Sequence, residues 1–256
     1  MTADQGVAVV RSAVITGGAG GIGAATAERL AERGYAVLVV DRDGDAAEAV
    51  AQRIGAPATA IAADVSDEAD VAGYVAAAIE RYGRIDAFFN NAGIEGDIAH
   101  VEDYPVETFD RVLAVNLRGA FLGLRHVVPV MRTQGAGAIL NTASQAGVRG
   151  VPGLAAYVAS KHAVVGLSQG VALEVAKVGI RVNCLCPGPT NTRMMDDIKA
   201  AVIAAGGDPQ TFVDRMPVGR FGEPAEIADV AAWALADAPG FLTGAVLTVD
   251  GAMTTP

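Results

Sequence analysis

The chain has 256 residues, of which 52% are hydrophobic, and it carries a formal net charge of −10 at pH 7. This length and composition suit one large α/β domain, and the acidic balance argues against nucleic acid or an anionic membrane surface as a partner. No run of 18 apolar residues and no leader of the secretory type is present, so we expect a cytoplasmic protein without a membrane span.

Short β-branched runs alternate along the chain with longer segments of helical pattern. We predict seven strands, at 12–17, 36–41, 58–64, 85–91, 137–144, 181–188 and 245–251. Each run is almost continuously apolar, which is typical of strands that are covered on both faces. The repeated βα units favour a single Rossmann-type domain over residues 1–256, a doubly wound parallel sheet with helices on both faces.

One segment interrupts this regular pattern, and one predicted strand carries both cysteines. Residues 193–222 form an irregular stretch with "GGDP" between two modest helices, and a stretch of that length in a compact domain is typical of a lid. Cys184 and Cys186 stand two apart in a predicted strand, so we expect buried thiols on one face rather than a zinc site. So few cysteines suit a reducing compartment.

The first strand runs into a glycine-rich loop, "TGGAGGIG" at 16–23. Three fingerprints fit it: GxGxxG with Gly18, Gly20 and Gly23, TGxxGxxG with Gly17, Gly20 and Gly23, and TGxxxGxG with Gly17, Gly21 and Gly23. Glycines at such a place let backbone N–H groups approach a pyrophosphate at a helix N-terminus, where the helix dipole favours negative charge. The loop therefore predicts a nucleotide site.

Asp41 ends the second predicted strand, eighteen residues after Gly23. A carboxylate there accepts both hydroxyls of an adenosine ribose and repels a 2′-phosphate, which favours NAD over NADP. The alternative stays open because Arg42 follows directly and is able to hold that phosphate.

Tyr157 and Lys161 stand four apart in "AAYVASKHA", so both rise from one face of a helix. A phenol has an ordinary pKa of about 10 and is a poor base at neutral pH. A nearby ammonium favours the phenolate, so the pair predicts a tyrosine whose pKa is lowered.

With these pieces located, the sequence resembles the short-chain dehydrogenase/reductase family over nearly its whole length. The matching pieces run in order: "TGGAGGIG", "DV" at 64–65, "NNAG" at 90–93, Asn116, Ser144, "YVASK" at 157–161 and "PGPTNT" at 187–192. The compact length selects TGxxxGxG, because the longer members with TGxxGxxG carry an added C-terminal domain. One departure is "VDGA" at 249–252, where relatives often have a second glycine.

The resemblance implies a catalytic role for four residues. Tyr157 is expected to be the general acid and base, and Lys161 to lower its pKa and hold the nicotinamide ribose. Ser144 is expected to hydrogen-bond the substrate oxygen, and Asn116 to hold a water that relays protons from Lys161.

The resemblance also implies a set of cofactor contacts. Asp64 and Val65 are expected at the adenine, Asn90 or Asn91 at its ribose, and Thr190 and Thr192 near the carboxamide. The expected cofactor-binding residues are Gly17, Gly21, Ile22, Gly23, Asp41, Asp64, Val65, Asn90, Asn91, Tyr157, Lys161, Pro187, Gly188, Thr190 and Thr192.

Substrate contacts are expected from Ser144, Gln145, Tyr157 and Met194, and further candidates are Ile94, Glu95, Ala146, Val151 and Met195. Most of these are apolar, so we expect a compact, uncharged secondary alcohol or ketone. "NNAGIEG" and "NTASQAGVRG" are similar to members that act on cyclic ketones and alcohols.

The leading hypothesis is therefore an NAD-dependent secondary-alcohol dehydrogenase or ketone reductase, expected by resemblance to be a homotetramer. The alternatives are an NADPH-dependent 3-oxoacyl-thioester reductase and a cofactor-sensing protein without catalysis. Asp41 argues against the first, and the presence of both Tyr157 and Lys161 argues against the second.

Overall fold

A computed structural model of the chain describes residues 10–204 and 206–255. Its strands form one parallel sheet in the order β3-β2-β1-β4-β5-β6-β7. The strands are β1 (Ser12–Thr16), β2 (Ala36–Asp41), β3 (Thr59–Ala62), β4 (Ala87–Asn90), β5 (Gly137–Thr142), β6 (Ile180–Pro187) and β7 (Val246–Val249). The predicted doubly wound sheet is confirmed, with several strands shorter at their ends than expected.

Helices cover both faces of this sheet. They are α1 (Gly21–Glu32), α2 (Gly44–Ile54), α3 (Glu68–Tyr82), α4 (Val106–Leu113), α5 (Gly119–Gln134), α6 (Ala155–Val175), α7 (Arg193–Ala204), α8 (Gln210–Asp214) and α9 (Pro224–Ala236). No helix of the described residues has the length and apolar character needed to cross a membrane.

The alternation of side chains along β1 divides the core into two layers. Ala13 and Ile15 pack with residues of α1, α2 and α9, whereas Val14 packs on the other face with residues of α3, α5 and α6. Because both faces are covered, the strand has no polar side, which explains its continuous apolar sequence. Cys184 and Cys186 are buried free thiols on β6, as predicted.

Two local features matter for the site. Between α4 and α5 the helix continues through a π turn at Ala114–Arg118, which the sequence did not predict. The segment 193–222 contains α7 and α8 on either side of the "GGDP" stretch, as its pattern suggested.

Candidate functional site

A cavity of about 480 Å³ opens at the carboxyl ends of the strands. The strand order reverses between β1 and β4, and ligands of doubly wound sheets bind outside the strand ends at such a point. The loops that follow the first six strands all contribute to its wall. The motifs that are far apart in sequence therefore meet in one place.

The glycine loop forms one end of this cavity. Gly17 has a φ of +61°, and a Cβ there would lie 2.9 Å from Ala92 Cα. A Cβ on Gly23 would collide with the carbonyl oxygen of Gly17. Helix α1 starts at Gly21 with no side-chain cap, and Gly21, Ile22 and Gly23 line the cavity. Uncapped N–H groups beside a backbone without side chains suit a diphosphate.

Asp41 lies at the rim of the same end, and both of its carboxylate oxygens are held. Oδ2 accepts from Ala19 N at 3.0 Å and Oδ1 from Asp43 N at 3.1 Å. These bonds fix the carboxylate beside the glycine loop, as a ribose acceptor requires. Arg42 also lines the cavity and is exposed.

Asp64 and Val65 form the next part of the wall. Asp64 Oδ1 accepts from the backbone N and the hydroxyl of Ser66, at 2.8 and 2.7 Å. These hydrogen bonds hold the pKa of the Asp64 carboxyl below its usual range, so that it is an anion with a fixed orientation.

The two asparagines after β4 take different positions. Asn91 lines the cavity, with its amide donating to Thr16 O at 3.2 Å and its Oδ1 accepting from Thr142 Oγ1 at 3.1 Å. Asn90 points into the core instead, where it is 6% exposed and donates to Ala120 O and Asn141 Oδ1. The expectation of a ribose contact from Asn90 therefore does not fit its placement, because its amide is committed to the core.

The loop after β6 closes another side of the cavity. Pro187, Gly188, Thr190 and Thr192 all line it, as the resemblance implies for the nicotinamide end. Thr190 Oγ1 donates to Gly188 O at 2.9 Å, and Thr192 Oγ1 donates to Thr190 O at 3.3 Å. The loop is thus held by its own side chains.

Tyr157 and Lys161 both face the cavity from α6, as their spacing predicted. Lys161 Nζ donates to Thr142 O at 2.9 Å and lies 5.6 Å from the centroid of the Tyr157 ring. Thr142 O is the one acceptor that Nζ has among residues 10–204 and 206–255. Two N–H donors of the ammonium are left for a ligand or water.

Burial dominates the electrostatics of this pair. It raises the pKa of Tyr157 to about 12, although the hydrogen bond with Ser144 acts to lower it and the Glu95 carboxylate adds to the rise. Burial also lowers the pKa of Lys161 to about 8. The raised pKa of Tyr157 differs from the lowering expected beside a lysine, because burial disfavours the phenolate more than the hydrogen bond with Ser144 favours it.

Ser144 and Gln145 stand at the end of β5, opposite Tyr157. Ser144 Oγ accepts from Ala146 N at 3.1 Å, which starts a 3-10 turn at Gln145–Gly147. Gln145 belongs to the cavity wall, and its side-chain oxygen is buried with no hydrogen-bond partner among the residues that the structure describes. A buried unpaired acceptor is costly, so this atom marks a place for a polar group of a ligand.

Asn116 lies in the π turn and is 2% exposed. Its side-chain amide binds the backbone of Ile94 twice, accepting from N and donating to O at 2.8 Å each, and it donates to Ser160 Oγ at 3.0 Å. Ser160 Oγ in turn donates to Tyr157 O at 2.8 Å. Asn116 therefore joins the loop after β4 to the helix that carries Tyr157 and Lys161.

Substrate candidates from three regions meet in the wall. Gln145, Ala146 and Val151 come from the loop after β5, Ile94 and Glu95 from the loop after β4, and Met194 and Met195 from α7. Burial and the neighbouring Asp197 raise the pKa of Glu95.

The wall also contains residues that were not named as candidates from the sequence. Arg193, Ile198, Phe212 and Arg215 fall within the predicted lid at 193–222, and Arg149 falls within "NTASQAGVRG". Leu154 and Met253 stand in loops without a motif, so no spacing pointed to them.

The sequence comparisons agree with this geometry. A profile for the family described as enoyl-(acyl carrier protein) reductase matches residues 17–254. Levodione reductase of Leifsonia aquatica is 42% identical, over 94% of this chain and 93% of the relative. Cyclohexanol dehydrogenase of Acinetobacter sp. (strain SE19) is 39% identical, over 94% of each chain.

Solved structures show the same likeness. The crystal structure of levodione reductase matches with a TM-score of 0.91 and 41% identity, over 95% of this chain and 97% of that one. NAD⁺-bound xylitol dehydrogenase matches with a TM-score of 0.89 and 39% identity, over 94% of this chain and 98% of that one. A third structure is that of a putative gluconate 5-dehydrogenase from Beutenbergia cavernae with NADP bound at low occupancy. It matches with a TM-score of 0.87 and 35% identity, over 96% of this chain and 97% of that one.

Proposed function

The chain belongs to the short-chain dehydrogenase/reductase family and is an oxidoreductase of secondary alcohols and ketones, and we propose that it uses NAD with compact cyclic substrates. The observation that carries the proposal is one cavity with Asp41 at one end and Ser144, Tyr157 and Lys161 at the other. A nicotinamide, when bound, gives or accepts the hydride, and the chain binds and polarises the reactants around it.

In the proposed mechanism Tyr157 handles the proton of the substrate oxygen. In reduction its phenol O–H protonates the forming alkoxide, and in oxidation its phenolate accepts the alcohol proton. The high pKa of the buried phenol favours the protonated form, which is the form that reduction needs. The Ser144 hydroxyl donates to the same oxygen and stabilises the negative charge that grows in the transition state.

Lys161 is proposed to restore the proton and to hold the nicotinamide ribose. Its ammonium, fixed by Thr142 O, has two remaining N–H donors beside the Tyr157 ring. A pKa of about 8 keeps the ammonium charged at neutral pH and leaves it able to exchange protons. Asn116 is proposed to position the loop at Ile94 and to support a water relay from Lys161 to solvent.

NAD is favoured over NADP by the fixed carboxylate of Asp41. Two backbone N–H groups hold this negative carboxylate beside the glycine loop. The 2′-phosphate of NADP, also negative, would be repelled by it. Arg42 supports the competing NADP proposal, and similar structures hold either cofactor.

The substrate proposal follows from the other end of the cavity. Met194, Met195 and Ile198 supply apolar surface from α7, so segment 193–222 is proposed to act as the lid over a compact ring. The names of two relatives, levodione reductase and cyclohexanol dehydrogenase, point to cyclic ketones and alcohols.

The test is turnover of cyclohexanone and of a cyclohexanedione with NADH and NADPH in parallel, at one pH. We expect kcat/KM to be at least tenfold higher with NADH, equivalent to about 1.4 kcal/mol, with both cyclic ketones as substrates. Preference for NADPH together with turnover of a 3-oxoacyl thioester would overturn the proposal in favour of a biosynthetic reductase.

The proposed assembly is a homotetramer. Apolar side chains lie exposed on two separate surfaces: Phe121 and Leu173 on α5 and α6, and Trp233 and Phe241 on and after α9. Leu113, Leu117, Phe121 and Leu167 line a second depression, together with Asp110 and Arg118. Light scattering is expected to give four times the chain mass, and Phe121→Asp and Trp233→Asp are each expected to reduce it.

A further inference from the structure

Residues 250–254, which follow β7, form a tightly held turn. Asp250 accepts from Ala252 N at 3.0 Å through Oδ1 and from Thr254 N at 2.9 Å through Oδ2, which also accepts from the Thr254 hydroxyl. Ala252 has a φ of +69°, in the left-handed region that favours glycine. Such a residue is costly, and it persists where its surroundings fix the backbone.

Three other segments fix this turn from outside. Arg149 Nη1, from the loop after β5, donates to Met253 O at 2.8 Å. A Cβ on Gly188, in the loop after β6, would lie 2.7 Å from Asp250 Cα. A Cβ on Gly251 would lie 2.6 Å from Val218, which belongs to the lid segment. The turn is thus packed between the three walls that surround the substrate end.

One residue of this turn, Met253, belongs to the wall of the cavity. Met253 is half-buried and lines the wall together with Arg149, Val151 and Leu154. We propose that Met253 is a specificity-determining residue that limits the size of the ring substituents accepted next to Ser144 and Tyr157. Arg149 is its positioning residue, because its guanidinium holds the Met253 carbonyl. The inference rests on the proposed function and deepens it.

The physical reason is that the backbone of Met253 has little freedom to retreat. A flexible methionine on a loose tail would move aside for a bulky ligand, since its thioether chain adapts easily. Here the turn is closed by three hydrogen bonds to the Asp250 carboxylate, one from Met253 N to Asp250 O and one from Arg149, so a large substituent meets a fixed wall. Preorganised walls discriminate by shape, at tenfold or more for one or two methylene groups.

The test compares cyclohexanone with 4-tert-butylcyclohexanone in wild type and Met253→Ala. We expect the ratio of kcat/KM for the bulky ketone to that for the compact one to rise at least tenfold in Met253→Ala. Arg149→Ala is expected to shift the ratio in the same direction, and Arg149→Lys to restore it, because an ammonium also reaches a carbonyl. Thr255→Ala, exposed in the same tail, is the matched control and should leave the ratio unchanged.

A calorimetric titration of each ketone into the NADH-saturated protein reports the size of the cavity without turnover. Met253→Ala should bind the bulky ketone at least tenfold more tightly relative to the compact one. An unchanged ratio in both the kinetic and the binding measurement would overturn the inference. If wild type reduces neither ketone but Met253→Ala still changes their binding ratio, the proposed function fails while the inference stands.

Discussion

The two ends of the cavity are built in different ways. At the end with the glycine loop, the contacts that matter are backbone groups and close approaches, such as Gly17 against Ala92 and Asp41 against Ala19 N. At the other end, the wall consists of side chains from α7, from the loop after β5 and from the C-terminal turn. The first end is fixed by the sheet, and the second by loops that contact one another.

This difference separates the part of the cavity that the backbone constrains from the part that side chains shape. A backbone cradle accepts few changes, because an added Cβ at Gly17 or Gly23 would collide. A wall of side chains tolerates substitution without loss of the fold, so one scaffold is able to serve many alcohols and ketones. Changes at the two ends should therefore have separable effects on cofactor binding, on substrate choice and on stability.

The largest effect is expected from Tyr157→Phe, between the two ends. Removal of the hydroxyl deletes the proposed proton donor, so kcat should fall by about 10² to 10⁴-fold. Calorimetry should show NADH affinity within about twofold of wild type, because the ring remains. Full turnover in Tyr157→Phe would contradict the assigned role, and loss of NADH binding would show that the ends are not separable.

Asn141→Ala should destabilise the layer beneath both ends. Asn141 accepts from Asn90 Nδ2 at 3.0 Å and donates to Ser168 Oγ at 2.9 Å, so it links β4 and β5 to α6. Its loss removes one hydrogen-bond partner each from the buried Asn90 amide and the buried Ser168 hydroxyl and leaves a cavity, so urea unfolding should show a decrease of about 3 kcal/mol in the free energy of unfolding. Gln52→Ala, which removes a surface hydrogen bond to Glu48, should change stability by less than about 0.5 kcal/mol. Equal effects from the two variants would contradict this account.

The same contrast decides how much was predictable from the sequence. The seven strands and the meeting of the motifs at one edge followed from apolar runs and glycine spacing, because a parallel sheet gathers its strand ends. The core position of Asn90 was not predictable, because "NNAG" does not show which asparagine faces the sheet. The place of Met253 in the cavity wall was not predicted. "VDGA" shows that a second glycine is absent, but it does not show that the turn after it contacts the cavity.

Lys161 should leave a pH signature on stability. Its pKa is about 8 in the folded protein against an ordinary 10.5, so the unfolded chain binds more protons between these values and stability rises with pH there. Wild type should gain about 2 kcal/mol relative to Lys161→Met between pH 8 and pH 10. The gain levels off above pH 10.5, where the lysine of the unfolded chain has also lost its proton. A pH-independent difference between the two proteins would show that Lys161 is not desolvated.

Asp41→Asn tests the glycine-loop end by itself, with the smallest expected effect. The substitution keeps the shape of the side chain and an oxygen for Ala19 N, but it removes the charge that faces a 2′-phosphate. The ratio of NADH to NADPH affinity should fall about tenfold, equivalent to about 1.4 kcal/mol, while the preference between cyclohexanone and 4-tert-butylcyclohexanone stays the same. Arg42→Gln, at the adjacent residue, is the matched comparison. It should raise the ratio of NADH to NADPH affinity, because it removes the positive charge that could bind the 2′-phosphate. If Asp41→Asn instead altered the preference between ketones, the two ends would be coupled, and the cavity would have to be treated as one cooperative unit.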